Sequence, residues 1–131
     1  STTNEMKLPV GTHVLQAYKE GRDGVHIGRF THINAFKDVI IEEDVLIGEN
    51  VYLGDTDHVR KSKEIAIKSQ GHEFKGRVLL KKGSLICKNA IIAAGVTIGK
   101  NSTVGPGAYV IETMPDYSLA IGNPAVGAIT E

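Results

Sequence analysis

Between Leu80 and Tyr109 the chain repeats itself every six residues without a gap. The units read LKKGSL, ICKNAI, IAAGVT, IGKNST and VGPGAY, and Val110 continues the series. Leu80, Ile86, Ile92, Ile98 and Val104 hold the first position. Ser84, Ala90, Val96, Ser102 and Ala108 hold the fifth, where nothing larger than valine occurs. Gly83, Asn89, Gly95, Asn101 and Gly107 hold the fourth, and each tolerates a positive φ. A period of six is neither the 2 of a strand nor the 3.6 of a helix. It predicts an all-β chain, a parallel β-helix of hexapeptide repeats. Branched aliphatics would stack around a narrow triangular core, with a bend at each fourth position. Short strands of a sandwich would alternate with period 2 and irregular spacing, which does not account for five units in one phase.

The same period starts at Ile27 with IGRFTH and INAFKD, slips by two residues at Val39-Ile40, and resumes as IEEDVL, IGENVY and LGDTDH. Thr31, Val45 and Val51 keep the fifth position small or β-branched, whereas Lys37 and Asp57 break the rule. From Asp55 to about Arg77 the period is lost in a polar, charged, glycine-punctuated stretch. A long loop inside a compact repeat is more often functional than accidental. The expected organisation is one domain. Residues 1–26 form an opening strand or cap, 27–54 the early coils, 55–77 an excursion loop, 78–111 the late coils and 112–131 a tail. Val14, Leu15 and Tyr18 are candidates for the opening strand, Lys19–Gly24 and Glu112–Tyr117 read as turns, and Ser1–Asn4 is expected to fray. Three hexads make one triangular coil, so three to four coils are expected. So short a prism exposes apolar faces and open ends, which repeat proteins cap or bury. A homo-oligomer follows, and a trimer suits a three-faced column.

Formal net charge is zero, so no whole-chain electrostatic case exists for nucleic acid or an anionic membrane. The single Cys87 excludes an intramolecular disulfide and a multi-cysteine zinc site. Neither an apolar run of membrane length nor a signal-peptide pattern is present, and a cytoplasmic location is expected.

The loop opens with Asp55-Thr56-Asp57-His58. Histidine is the side chain best able to take a proton near neutral pH, and a neighbouring carboxylate can orient it. His58 falls at the end of the last hexad before the loop and is the leading candidate for such work; His72, inside the loop, ranks below it. His26 and His32 are one hexad apart, hence on neighbouring faces, and His13 has no context. A three-histidine metal site needs a closely spaced pair and a third member one coil away, so no metal is expected. Lys61, Lys63, Lys68, Lys75, Arg77, Lys81, Lys82, Lys88 and Lys100 gather from the loop into the late coils. They read as a solvated surface or as a site for a phosphorylated ligand.

HINAFKDVIIEEDVLIGENVYLGDTDH resembles the segment that carries the catalytic histidine in the hexapeptide-repeat sugar acetyltransferases of the polysaccharide and galactoside/maltose type. LLKKGSLICKNAIIAAGVTIGKNSTVGPGAYVIETMPDYSLAIGNPA is similar to their closing coils, and the likeness spans about residues 27–126. It implies a left-handed β-helical trimer with sites between subunits. It also implies acetyl-CoA as co-substrate and a sugar or sugar-nucleotide acceptor, acetylated on a hydroxyl or amine. By the same resemblance His58 is the general base, Asn34 holds the acceptor, Asp57 orients the base or binds substrate, and Lys88 and Pro106 lie along the CoA arm. The chain departs from the pattern at Leu85-Ile86-Cys87, at Glu112 where relatives place lysine, and at Val126 where they place a basic residue. Those departures keep open an alternative, a non-catalytic trimeric binding module that has lost CoA.

Overall fold

The computed structural model describes residues 5–7, 11–14, 19–20 and 22–129, and their regular structure is strand apart from two 3-10 turns. The expectations for Ser1–Asn4, Leu15 and Tyr18 lie outside the described residues. Among the described residues no helix is long and apolar enough to cross a membrane.

The sixfold pattern becomes three rows of short parallel strands. One face carries Val39–Glu42, Val78–Leu80 and Thr97–Ile98; a second carries His26–Ile27, Leu46–Ile47, Leu85–Ile86, Thr103–Val104 and Ser118–Gly122. The third carries His32–Ala35, Tyr52–Gly54, Ile91–Ile92 and Tyr109–Val110. This is a β-helix. Ile27, Ile33, Ile41, Ile47, Leu53, Leu80, Ile86, Ile92, Ile98, Val104 and Val110, the first-position residues, are all buried along the axis. Each such side chain contributes roughly 1.5–3 kcal/mol of burial. The fifth-position residues from Thr31 to Ala108 that keep the small or β-branched rule are buried too. At the fourth position the chain turns through positive φ, from 50° at Asn101 to 84° at Gly95. Phe30, Asp44 and Asn50 do the same in the early hexads at φ 61°, 58° and 53°.

Pairing register explains both irregularities of the repeat. Leu85 pairs with Thr103, 18 residues on, which is three hexads. Its other neighbour is Leu46, 39 residues back, so 21 residues leave the column between these rungs and the register is kept. His26 pairs with Leu46 at a separation of 20, which is one coil and the two-residue slip. One side chain fixes both insertions. The buried carboxylate of Asp55 accepts the backbone N–H groups of Phe36, Lys37 and Asp38 at 2.8, 2.7 and 2.6 Å. It thereby ties the slip to the start of the loop.

The ends of the column are closed by antiparallel strands. Glu5–Lys7, Gly11–Val14 and Lys19–Glu20 pair with Val39–Glu42, His32–Ala35 and His26–Ile27, one strand per face, around a turn at Arg22–Gly24. The cap at this end is therefore the chain folded back along its own first coil, which shields the edges. Lys19 and Glu20 belong to that wrap, and the turn begins after them. At the far end Ser118–Gly122 forms a hairpin with Ala125–Ile129. Met114 pairs with Ile98 and closes the core below the hairpin.

Candidate active site

The 21 extra residues leave the column as an antiparallel ribbon, Thr56–His58 against His72–Phe74. Thr56 fixes the ribbon by donating its hydroxyl to the Glu73 carbonyl at 2.7 Å. The tip is held by Gln70, whose carboxamide donates to the Ser62 and Ile65 carbonyls at 3.0 and 2.7 Å and accepts the Ser62 N–H at 3.0 Å. A long loop is thus given a defined shape by one amide.

Register sets His58 opposite His72, and their rings lie 4.3 Å apart at 40°. Asp57 does not reach the imidazole of His58. Its carboxylate accepts two hydrogen bonds from the Arg60 guanidinium, both 2.9 Å, and the backbone N–H of His58 at 2.7 Å. The Arg60 guanidinium, followed by the His58 N–H, holds the Asp57 carboxyl below its ordinary pKa. Lys75 does the same for Glu73 by a 2.7 Å contact. On the column side, Asn34 donates to the Tyr52 hydroxyl at 3.1 Å and lies 3.2 Å from His32 Nε2 through its Oδ1.

These elements enclose a cavity of about 550 Å³ lined by Gly11, His32, Asn34, Ala35, Phe36, Thr56 and His72. Asn34 and His72 are in its wall; His58 is not part of the lining, and its ring lies against that of His72. Lys88 and Pro106 sit elsewhere, exposed at the corner between the second and third faces. The two turns are stacked, the Gly107 N–H donating to the Lys88 carbonyl at 3.0 Å. A groove of about 490 Å³ lined by Gly28, Arg29, Leu46, Ile47, Gly48 and Glu49 adjoins that corner, where Gly48 N–H meets the Ile86 carbonyl at 2.7 Å. The basic cluster is largely taken up in ion pairs: Lys61 and Lys75 with Glu73, Arg77 with Asp38, Lys81 with Asp116, Lys82 with Glu43. His26 and His32 stand on neighbouring faces, as one hexad requires. Phe36, Thr56 and His32 were not singled out by the sequence for this cavity. The signal was present in HINAF, where His32 and Asn34 alternate with buried Ile33 and Ala35 and so point outward together.

Residues 77–112 match the bacterial transferase hexapeptide family (six repeats), and residues 38–54 match the hexapeptide repeat of succinyl-transferase. The chain carries the hexapeptide repeat of the bacterial transferases. Over 50 residues this repeat protein is 50% identical to the dTDP-3-amino-3,6-dideoxy-α-D-galactopyranose 3-N-acetyltransferase of Aneurinibacillus thermoaerophilus, covering 38% of this chain and 26% of that one. Over 60 residues it is 30% identical to a galactoside O-acetyltransferase of Lactococcus lactis, 46% of this chain and 29% of that one. Its fold is similar to that of a galactoside acetyltransferase solved in complex with coenzyme A, with a TM-score of 0.65, 27% identity, and coverage of 88% of this chain and 62% of that one. The hexapeptide-repeat chain thus spans under a third of the curated relatives it matches and under two thirds of the solved one.

Proposed function

We propose that this column is the scaffold of an acetyltransferase that moves an acetyl group from acetyl-CoA to a hydroxyl or amine of a sugar or sugar nucleotide, with His58 as general base. The carrying observation is the placement of the long break in the repeat. It stacks His58 on His72 at the wall of a cavity that also holds Asn34 and Phe36. An aromatic ring, a carboxamide and imidazoles around a concave space make a site for a small polar ligand. The neutral His58 ring takes the proton from the acceptor O–H or N–H as that atom attacks the thioester carbon. It then returns the proton to the departing thiolate, so the products are the acetylated sugar and the free thiol. Asp57, clamped by Arg60, fixes the backbone at His58. Asn34 orients the acceptor.

Acetyl-CoA supplies the activated acyl group. Lys88 and Pro106 flank the corner where it would lie. Gly28 and Gly48 leave that corner without side chains, and Lys88 offers a cation beside Arg29, which pairs with Glu49 at 4.0 Å; this suits an extended arm that ends in phosphates. A cytoplasmic location goes with this co-substrate. The column is taken as left-handed, with three to four coils, and as a trimer with its sites between subunits. Supporting the trimer, Leu46 and Leu85 and, beyond Thr103, Leu119 point outward in one row on the second face, with Leu46 45% exposed. Sedimentation equilibrium that returns a monomer would count against it.

The test is a thiol-release assay with acetyl-CoA and a panel of sugars. His58→Ala is expected to lower turnover by about 10²–10⁴-fold; unchanged turnover removes His58 from the role of base. The binding-module reading is favoured by exposed Glu112 and by Val126, 74% exposed, since neither supplies a cation. Calorimetry separates the two: micromolar binding of acetyl-CoA supports the enzyme, and absence of heat supports the module.

A further inference from the structure

His32, Asn34 and Tyr52 form one connected polar unit at the cavity wall, and a glycine keeps room for it. His32 and Asn34 alternate outward on the strand His32–Ala35; in the next coil Tyr52 pairs with His32, and Gly54 pairs with Asn34. A Cβ at Gly54 would stand 2.8 Å from the Asn34 Cβ and 3.2 Å from the Tyr52 hydroxyl, so a side chain there would displace both. Two contacts of Asn34, 3.2 Å to His32 Nε2 and 3.1 Å to the Tyr52 oxygen, engage opposite ends of its carboxamide. With Nε2 protonated, His32 donates to Asn34 Oδ1. A flipped carboxamide would then set its NH₂ against the Nε2–H, so the His32 end selects one orientation, and the Tyr52 hydroxyl, able to donate or accept, takes the other end.

We propose that His32 and Tyr52 are positioning residues that fix the Asn34 carboxamide for recognition of the acceptor's hydroxyl or amine. This rests on the cavity being the acceptor site. The neighbouring surface agrees with a sugar as ligand: Phe36, 46% exposed, offers an aromatic face beside the polar unit. Polar atoms on one side and an aromatic face on the other match the hydroxylated edge and C–H face of a pyranose.

The experiment is steady-state kinetics with acetyl-CoA and a panel of free and dTDP-linked hexoses and amino hexoses, on purified chains whose melting is checked. Tyr52→Phe and His32→Leu are each expected to lower kcat/KM for the acceptor about tenfold, the loss of one orienting hydrogen bond. The KM for acetyl-CoA should stay unchanged. His32→Gln, which restores an N–H at the Nε2 position, should recover most of the loss, and the pH profile of Tyr52→Phe should keep its wild-type shape. A purely structural role would move both substrates together and would show no rescue by glutamine; either result overturns the proposal. If Asn34→Ala is impaired while Tyr52→Phe and His32→Leu match wild type, only the proposal falls. If Asn34→Ala also matches wild type, or nothing in the panel is acetylated, the acceptor-site reading falls and takes the proposal with it.

Discussion

At the scale of single residues, the root of the loop uses carboxylates in two different ways. Asp55 is buried and accepts three backbone N–H groups, so its work is to hold the turn at 36–38, just before the slip at Val39-Ile40, against the root of the loop. Asp55→Asn keeps the shape but turns an NH₂ group toward those donors. It should cost about 3 kcal/mol, read from urea unfolding. Asp57 is exposed and is held by Arg60. Its folded pKa lies below the unfolded value, so the pair's contribution is complete above the unfolded value and is lost as pH falls through the lowered one, below about pH 4. In Arg60→Ala the Asp57 carboxyl should titrate at higher pH than in wild type, as followed by NMR; an unchanged midpoint would show that Arg60 is not the cause.

At the scale of elements, the tip of the ribbon is held through one side chain, since Gln70 bonds across the 62–70 segment. Gln70→Ala should speed hydrogen exchange between residues 59 and 71 and leave the amides of the late coils unchanged. The late coils were legible in the sequence because a strict period needs only local rules: an aliphatic at Ile92, a small residue at Val96, a positive φ at Gly95. The two-residue slip was legible as well, and the register confirms it. An opening strand or cap was expected, but the antiparallel course of Glu5–Lys7, Gly11–Val14 and Lys19–Glu20 was not legible, because such pairing along a coil leaves no sixfold mark of its own. Nor was the role of Asp55 legible: it looks like the first of several loop acids until its partners at 36–38 are seen. For the cavity, Asn34 could be named from resemblance, whereas His58 lies outside the lining, its ring against that of His72. The convergence of His32, Phe36 and His72 required knowing that the loop folds back across the third face.

At the scale of the whole molecule, the column is a stack in which each rung depends mainly on the rungs above and below. Ile92 lies between Leu53 and Val110 with no exposure at all. Ile92→Ala should therefore cost about 3 kcal/mol, measured as a shift in the urea midpoint at unchanged slope. The loop sits within this stack at the point where the spacing between paired rungs goes from 18 residues to 39, about one doubling. Closing a chain segment of twice the length costs only about 0.6 kcal/mol more in entropy. The rungs on either side pair in the same register with or without those extra residues. Such a joint is where a repeat protein can lengthen, shorten or rewrite its loop over generations while the column beneath it goes on folding in the same way.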